Sequence, residues 1–172
     1  MDFYNLIRTR ETIRSYDPDR KINEKVLNRI LEAGRLAPSA ANRQPWTFVM
    51  ISSEEKLQEV KACYPRDWFQ KAPHVLAVTG NKTKSWVRPY DGYNSIETDL
   101  AIAMDHMVLA AENEGVATCW IIAFDYKKLA RVLGLTAGEV VYCITPLGYP
   151  PADFRKHGNK KRKLLEEIVR RI

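Results

Sequence analysis

The chain has little of what would tie it to an oxidising compartment, a metal or a membrane. Its three cysteines, Cys63, Cys119 and Cys143, are odd in number and show no Cys-x-x-Cys spacing. That argues against a zinc site and against a disulfide framework. No apolar run approaches the roughly 20 residues needed to span a bilayer. The first residues, Met1-Asp2-Phe3-Tyr4-Asn5, lack the basic start and long apolar stretch of a signal peptide. A cytoplasmic protein without membrane contact is therefore expected. The Gly-x-Gly-x-x-Gly fingerprint of a dinucleotide site is missing. No Ser/His/Asp or Cys/His set for nucleophilic catalysis is evident, and neither are repeats, low-complexity segments or internal linkers. What remains is 172 residues, 45% apolar and 28% charged. That is the size and mix of one ordinary globular domain, expected over residues 1–172.

The net charge of +6 is unevenly placed. From Arg155 to Ile172 there are eight Lys/Arg and two Asp/Glu, while the rest of the chain balances. The basic character is local, which speaks against a protein that coats nucleic acid. The question becomes what binds near the tail.

Taken in order, Phe3 to Arg8 reads as a short helix with Phe3, Leu6 and Ile7 on one side. Asp17-Pro18-Asp19 is a turn. Asn23 begins a helix to about Arg35, with Val26, Leu27, Ile30 and Leu31 at helical spacing. Trp46 to Ser52 is a strand, Glu54 to Tyr64 an amphipathic helix, Pro65 to Phe69 a break, and Val75 to Thr79 a second buried strand. Residues 80–93 carry Trp86, Pro89, Tyr90 and Tyr93 on a loop; the rings either cover a ligand or plug the core edge. Asn94 or Ser95 caps a long helix to about Asn113, with Glu97 placed to close a capping box on Asn94. That helix is apolar on nearly every face, as in a large core or a subunit interface. His106 on it is either functional or a bonded core or interface residue. Ala117 to Asp125 reads as a strand running into a loop, and Tyr126 to Leu133 as a short helix. Val140 to Thr145 reads as a strand stopped by Pro146.

Three places carry the chemistry. Arg10 and Arg14 flank Thr12, and guanidinium forks with a hydroxyl make a phosphate clamp; a solvated charged turn is the other reading. Ala37-Pro38-Ser39-Ala40-Ala41-Asn42-Arg43-Gln44-Pro45-Trp46 is bracketed by two prolines, which fix φ and stiffen it. Ser39, Asn42 and Gln44 can aim polar groups out of it, and Ala40 and Ala41 leave room for a flat group. The same residues also read as a helix end followed by an ordinary turn. Lys160-Lys161-Arg162 follows the last strand and, alone, reads as a solvated basic end.

Pro-Ser-x-x-Asn-x-Gln-Pro-Trp resembles the signature loop of the nitroreductase family of flavin enzymes. The Arg-x-Thr-x-Arg and Lys-x-Arg segments match in the same order, and together the motifs cover most of the chain. The resemblance implies an α+β fold: a central mixed, mostly antiparallel sheet of four to five strands flanked by helices, in an interlocked homodimer. It implies FMN as cofactor, with Arg10, Thr12 and Arg14 on the 5′-phosphate and Lys160 and Arg162 completing the clamp. Pro38, Ser39, Ala40 and Asn42 would reach the flavin of the partner subunit, with Gln44 nearby. Trp120, Ile121 and Ile122 would run along the isoalloxazine ring near N5. NADH or NADPH would reduce the flavin, and an electron-poor acceptor such as a nitroaromatic, quinone or activated alkene would take the electrons. Arg and Lys near the ring would stabilise its anionic reduced form. The chain departs from larger relatives in being short and in carrying Ile122 where many have Gly. Glu11 stands at a commonly basic place, where a carboxylate must point away or pair with an arginine. The Asn and Lys that contact the ring in some relatives have no evident equivalent; the segment around Pro65 to Trp68 replaces them. Two other readings remain: a flavin carrier or specialised reductive enzyme of the same fold, and a basic nucleic-acid-binding module using the tail and exposed aromatics.

Overall fold

The computed structural model describes residues 2–172. Four strands form one sheet: β1 (Trp46–Ile51), β2 (His74–Asn81), β3 (Ala117–Thr118) and β4 (Glu139–Gly148), in the order β1-β2-β4-β3. Every pairing among the described residues is antiparallel. β2 is the strand around which the layers assemble. Leu76 and Val78 face one core with α2 (Glu24–Arg35) and α5 (Ile96–Asn113). Val75 and Ala77 face a second core with α3 (Glu54–Lys61), α4 (Asp67–Gln70) and α6 (Tyr126–Val132). Burial on both faces is why β2 reads as a continuous apolar run rather than an alternating one. α1 (Phe3–Thr9) and α7 (Leu165–Ile168) lie at the two ends of the chain. This is the expected α+β architecture of a central sheet flanked by helices.

The local signals behind the helices are those read from the sequence. Asn23 caps α2 by accepting from Lys25 N, and Leu27 and Ile30 bury on one stripe. α5 buries Leu100, Ala103, Met104, Met107 and Ala111; each of the larger side chains contributes about 1.5–3 kcal/mol on burial. Of the two expected caps, Ser95 is the N-cap and makes no side-chain cap bond; Asn94, just before it, accepts from Ile96 N at 3.0 Å through Oδ1. The expected box with Glu97 is not what holds this end; Asn94 Oδ1 also accepts from the Ser85 hydroxyl at 2.7 Å.

Several boundaries differ from expectation, among them β2, which runs to Asn81 rather than Thr79. The break at Pro65 to Phe69 contains α4, seated by the fully buried Phe69. The helix from Glu54 ends at Lys61 rather than Tyr64. β4 does not stop at Pro146 but runs to Gly148, and the strand expected over Ala117 to Asp125 shrinks to two residues. The last two have one cause. Ile144 exchanges both backbone bonds with Ile121, at 2.9 and 3.0 Å. Backbone N–H groups two residues apart on a strand point the same way. The donor missing at Pro146 therefore falls on the β3 side, and the ladder opens there. Cys119 N–H turns to the Thr145 hydroxyl instead, at 3.1 Å. A register shift at Val78/Thr79 opposite Tyr142 adds a bulge, so that Tyr142 and Cys143 both face the α5 core although they are adjacent in sequence.

Candidate functional site

The chain leaves α1 at Arg10, whose N–H caps the helix on Leu6 O at 3.0 Å. Ile13 is then buried, donating its N–H to Thr118 O at 2.9 Å, while Thr12 and Arg14 stay exposed. Tyr16 fixes the far end of this segment: its hydroxyl donates to Ile13 O at 2.7 Å and its ring stacks on Trp68 at 6.3 Å. The segment thus offers its polar residues outward while its apolar ones are tied to the core.

The basic tail returns to this same segment. Glu112 on α5 is buried, and a buried carboxylate needs a partner. Lys156 supplies it, and also donates to Thr9 O at 3.2 Å. Glu11 accepts from the backbone N–H of His157 and of Gly158, at 3.0 and 2.7 Å. Lys160 Nζ donates to Ile7 O at 2.7 Å. The result is a recess of about 240 Å³ lined by Arg10, Glu11, Thr12, His157, Asn159, Lys160 and Arg162. Its lining holds three cations, Arg10, Lys160 and Arg162, and one carboxylate, Glu11. Partial burial, then Arg10 and Arg162, push the Lys160 ammonium below its usual range, with Glu11 and Glu112 acting against them.

Four of the expected clamp residues, Arg10, Thr12, Lys160 and Arg162, are therefore brought together although they come from opposite ends of the chain. Arg14 does not line this recess. Its guanidinium lies 5.8 Å from the Trp68 ring centre, beside Cys119. Burial pushes the Cys119 thiol up and Arg14 acts against that shift. Glu11 neither points away nor pairs with an arginine; its partners are backbone donors of the tail.

The loop from Pro38 to Trp46 is held in an unusual backbone. Ala41, Asn42 and Gln44 all have left-handed φ, at 50°, 53° and 47°. Such conformations cost L residues about 1–2 kcal/mol each, least for Asn. Part of its polar set is spent internally: the Ser39 hydroxyl accepts from Gln44 N at 2.9 Å, and Gln44 Nε2 donates to Asn42 Oδ1 at 3.0 Å. Asp99, only 1% exposed, anchors the loop to α5 by accepting from Ala40 N at 2.8 Å and from the Ser95 hydroxyl at 2.7 Å. Gly80 holds the loop's end close to the sheet; a Cβ there would meet Pro45 O at 2.8 Å. Pro38, Asn42 and Gln44 remain exposed, Ser39 and Ala40 half-buried. None of them lines the recess at Arg10.

Trp120, Ile121 and Ile122 follow β3. Ile121 is buried with both backbone groups bonded to Ile144. Trp120 packs edge-on to Tyr142 at 6.3 Å, and its Nε1 is buried without a partner among the described residues. Ile122 is 58% exposed. It borders a second recess of about 420 Å³ lined also by Lys82, Glu97, Phe124, Tyr126 and Val140 to Tyr142.

His157, Asn159 and Asp99 were not foreseen as site residues. The first two adjoin the Lys-x-Arg pair in sequence, so proximity could have flagged them. A carboxylate interrupting an apolar helix, as Asp99 does, signals a buried partner.

A family model described as the nitroreductase family matches residues 7–64 and 56–149. A protein of Archaeoglobus fulgidus, provisionally named NADH dehydrogenase/NAD(P)H nitroreductase, is 32% identical over 151 residues, covering 84% of this chain and 83% of that protein. Iodotyrosine deiodinase 1 of Sus scrofa is 25% identical over 205 residues, covering 98% of this chain and 68% of that protein. The crystal structure of a nitroreductase family protein from Clostridium difficile 630 superposes with a TM-score of 0.90 at 29% identity, covering 99% of this chain and 98% of the other. Among the described residues no helix is long and apolar enough to cross a membrane.

Proposed function

The chain belongs to the nitroreductase family, and on that premise we propose that it is an FMN-dependent oxidoreductase passing electrons from NAD(P)H to an electron-poor acceptor. Nitroaromatics, quinones and activated alkenes fit that description. One observation carries the reading: Arg10, Thr12, Lys160 and Arg162 converge on a single recess from both ends of the chain. The donor set fits a phosphate. Two guanidinium forks, an ammonium, a hydroxyl and the Asn159 amide surround a small space, with positive charge in excess.

When bound, FMN supplies the two-electron chemistry between nucleotide and acceptor. The chain's own residues do the holding. Arg10, Thr12, Lys160 and Arg162 bind the phosphate. Arg14, outside the recess and beside Cys119, serves the stretch between the phosphate and the Trp120 to Ile122 segment. That segment would flank the ring, with Ile122 offering it an exposed apolar surface. Ile121 has both backbone groups committed to Ile144, so its part is to hold its neighbours in place.

Pro38, Ser39, Ala40, Asn42 and Gln44 act from a second copy of the chain, which makes the working unit a homodimer with residues 1–172 as one FMN-binding unit per copy. Phe3, Tyr4 and Ile7 at one end and Leu164, Leu165, Ile168 and Val169 at the other are exposed apolar side chains, and a second copy gives them something to cover. The three cysteines are free and buried, in keeping with a reducing cytoplasm. Lys156 and Lys160 are tied to groups of their own chain, which weakens the reading of the tail as a free nucleic-acid-binding arm. The test is steady-state NADH and NADPH oxidation by FMN-loaded protein, with and without menadione. Menadione-dependent turnover is expected. Flavin that neither nucleotide ever reduces would leave only a flavin carrier. The likeness to a deiodinase favours a second reading, reductive dehalogenation of an aromatic ring, which iodide release from iodotyrosine would reveal.

A further inference from the structure

The tail is drawn to the N-terminal segment by bonds that need no cofactor. Lys156 is fixed on one side by Glu112 and Thr9 O. Two residues later the chain turns through Gly158, whose φ of +64° lies in the left-handed region. Both oxygens of Glu11 are committed to this turn, one to His157 N–H and one to Gly158 N–H. The next side chains, Asn159, Lys160 and Arg162, then line the recess with Arg10 and Thr12. Without a counter-charge, Arg10, Lys160 and Arg162 would push one another apart.

We propose that Glu11 is a positioning residue for the phosphate clamp: by holding the backbone of His157 and Gly158, it sets Lys160 and Arg162 beside Arg10. This rests on reading the recess as the site of the FMN phosphate. Two roles for a carboxylate at this place have opposite consequences. A bare negative charge beside the site repels phosphate, so its removal tightens binding. An anchor for the turn shapes the site, so its removal weakens binding. Both oxygens being bonded to the tail backbone, rather than turned toward the recess cations, selects the anchor.

The experiment compares FMN with riboflavin, which lacks the phosphate, by quenching of flavin fluorescence on titration with wild-type protein and with Glu11→Gln, Glu11→Ala and Gly158→Ala. Wild type binds FMN more tightly than riboflavin. In Glu11→Ala that preference falls about tenfold, the scale of one charge-assisted hydrogen bond, while riboflavin affinity holds. Glu11→Gln retains one acceptor and loses less. Gly158→Ala leaves the Glu11 charge in place, and its Cβ would meet nothing within 4 Å. It strains only the left-handed turn and lowers the preference in the same direction. A loss of stability alone does not reproduce this pattern, because it weakens both ligands together. FMN affinity that is unchanged or tighter in Glu11→Gln and Glu11→Ala overturns the anchor role while leaving the phosphate site intact. Wild type that does not distinguish FMN from riboflavin overturns the phosphate site itself, and the role of Glu11 with it.

Discussion

The recess at Arg10 and the loop at Pro38 are held in place in different ways. The recess is assembled from the two ends of the chain by ties near the surface: Glu11 to the tail backbone, Lys160 to Ile7 O, Lys156 to Glu112. Its functional groups lie within one chain. The loop is short and local, stores three left-handed residues, and hangs on one buried carboxylate, Asp99. Its exposed groups meet no recess of their own chain at Arg10. The difference suggests a division of labour. Surface ties are individually weak and place charge where it is needed, whereas strain persists only where its surroundings over-determine it. A loop kept in such a backbone at the surface is poised for something outside its own chain.

Each half can be broken separately, and the largest effect is expected at the recess. Lys160→Ala with Arg162→Ala removes two charged donors, each worth about 1.5–3 kcal/mol, so FMN affinity falls by about 10²-fold or more. Thermal stability should fall only slightly, by about 1 kcal/mol or less, since Arg162 is exposed and half-buried Lys160 loses one near-surface bond, to Ile7 O; calorimetry beside flavin titration checks both. Asp99→Ala should do the reverse. It strands two donors, the half-buried Ala40 N–H and the buried Ser95 hydroxyl, and lowers unfolding free energy by about 2–4 kcal/mol in urea titrations. Asp99→Asn keeps one acceptor and costs less. Ala41→Gly relieves a left-handed residue and should gain about 0.5–1 kcal/mol of stability. A loss of FMN affinity in the same variant would show that the strain serves binding.

The smallest effect is a pH dependence lying outside both halves. Ile22 N–H donates to His74 Nε2 at 3.3 Å, so Nδ1 carries the proton and donates to the Ser52 hydroxyl at 2.8 Å. The neutral ring is thus built in, and burial pushes the His74 pKa down, with Glu24 opposing and Lys21 adding to the shift. The unfolded chain takes up this proton near its ordinary value of about 6.5, while the native state resists it to lower pH. Stability from this group is therefore full above about 6.5 and declines as pH falls below it. Thermal midpoints measured from about pH 7.5 to 5.5 should drop toward acid, and less so in His74→Gln.

Much of the loop and the clamp could be read from sequence because their signals are local: two prolines around polar and small residues, and cations flanking a threonine. What escaped were consequences of pairing. Pro146 is compatible with β4 because its missing donor faces β3, and which side a strand's neighbour occupies is not written in the strand itself. The bulge at Val78/Thr79 is hidden for the same reason. The partner of Glu11 lies 146 residues away and is a backbone group, which leaves no mark in side-chain composition. Arg14 shares a motif with Arg10 and Thr12 and, like Thr12, flanks the buried Ile13, yet its guanidinium goes to the Trp68 ring rather than to the recess, a contact with a residue 54 positions on.

The central claim is that one site is shared between a recess of one copy and a loop of another. Co-expression of two variants tests it most directly: one carries Lys160→Ala and Arg162→Ala, the other Ser39→Ala and Asn42→Ala. Neither homodimer should retain FMN through purification, while the isolated heterodimer should hold one FMN per pair of chains, read from the flavin absorbance bands. A heterodimer as empty as its parents, or a monomeric wild type that binds FMN fully, would contradict it.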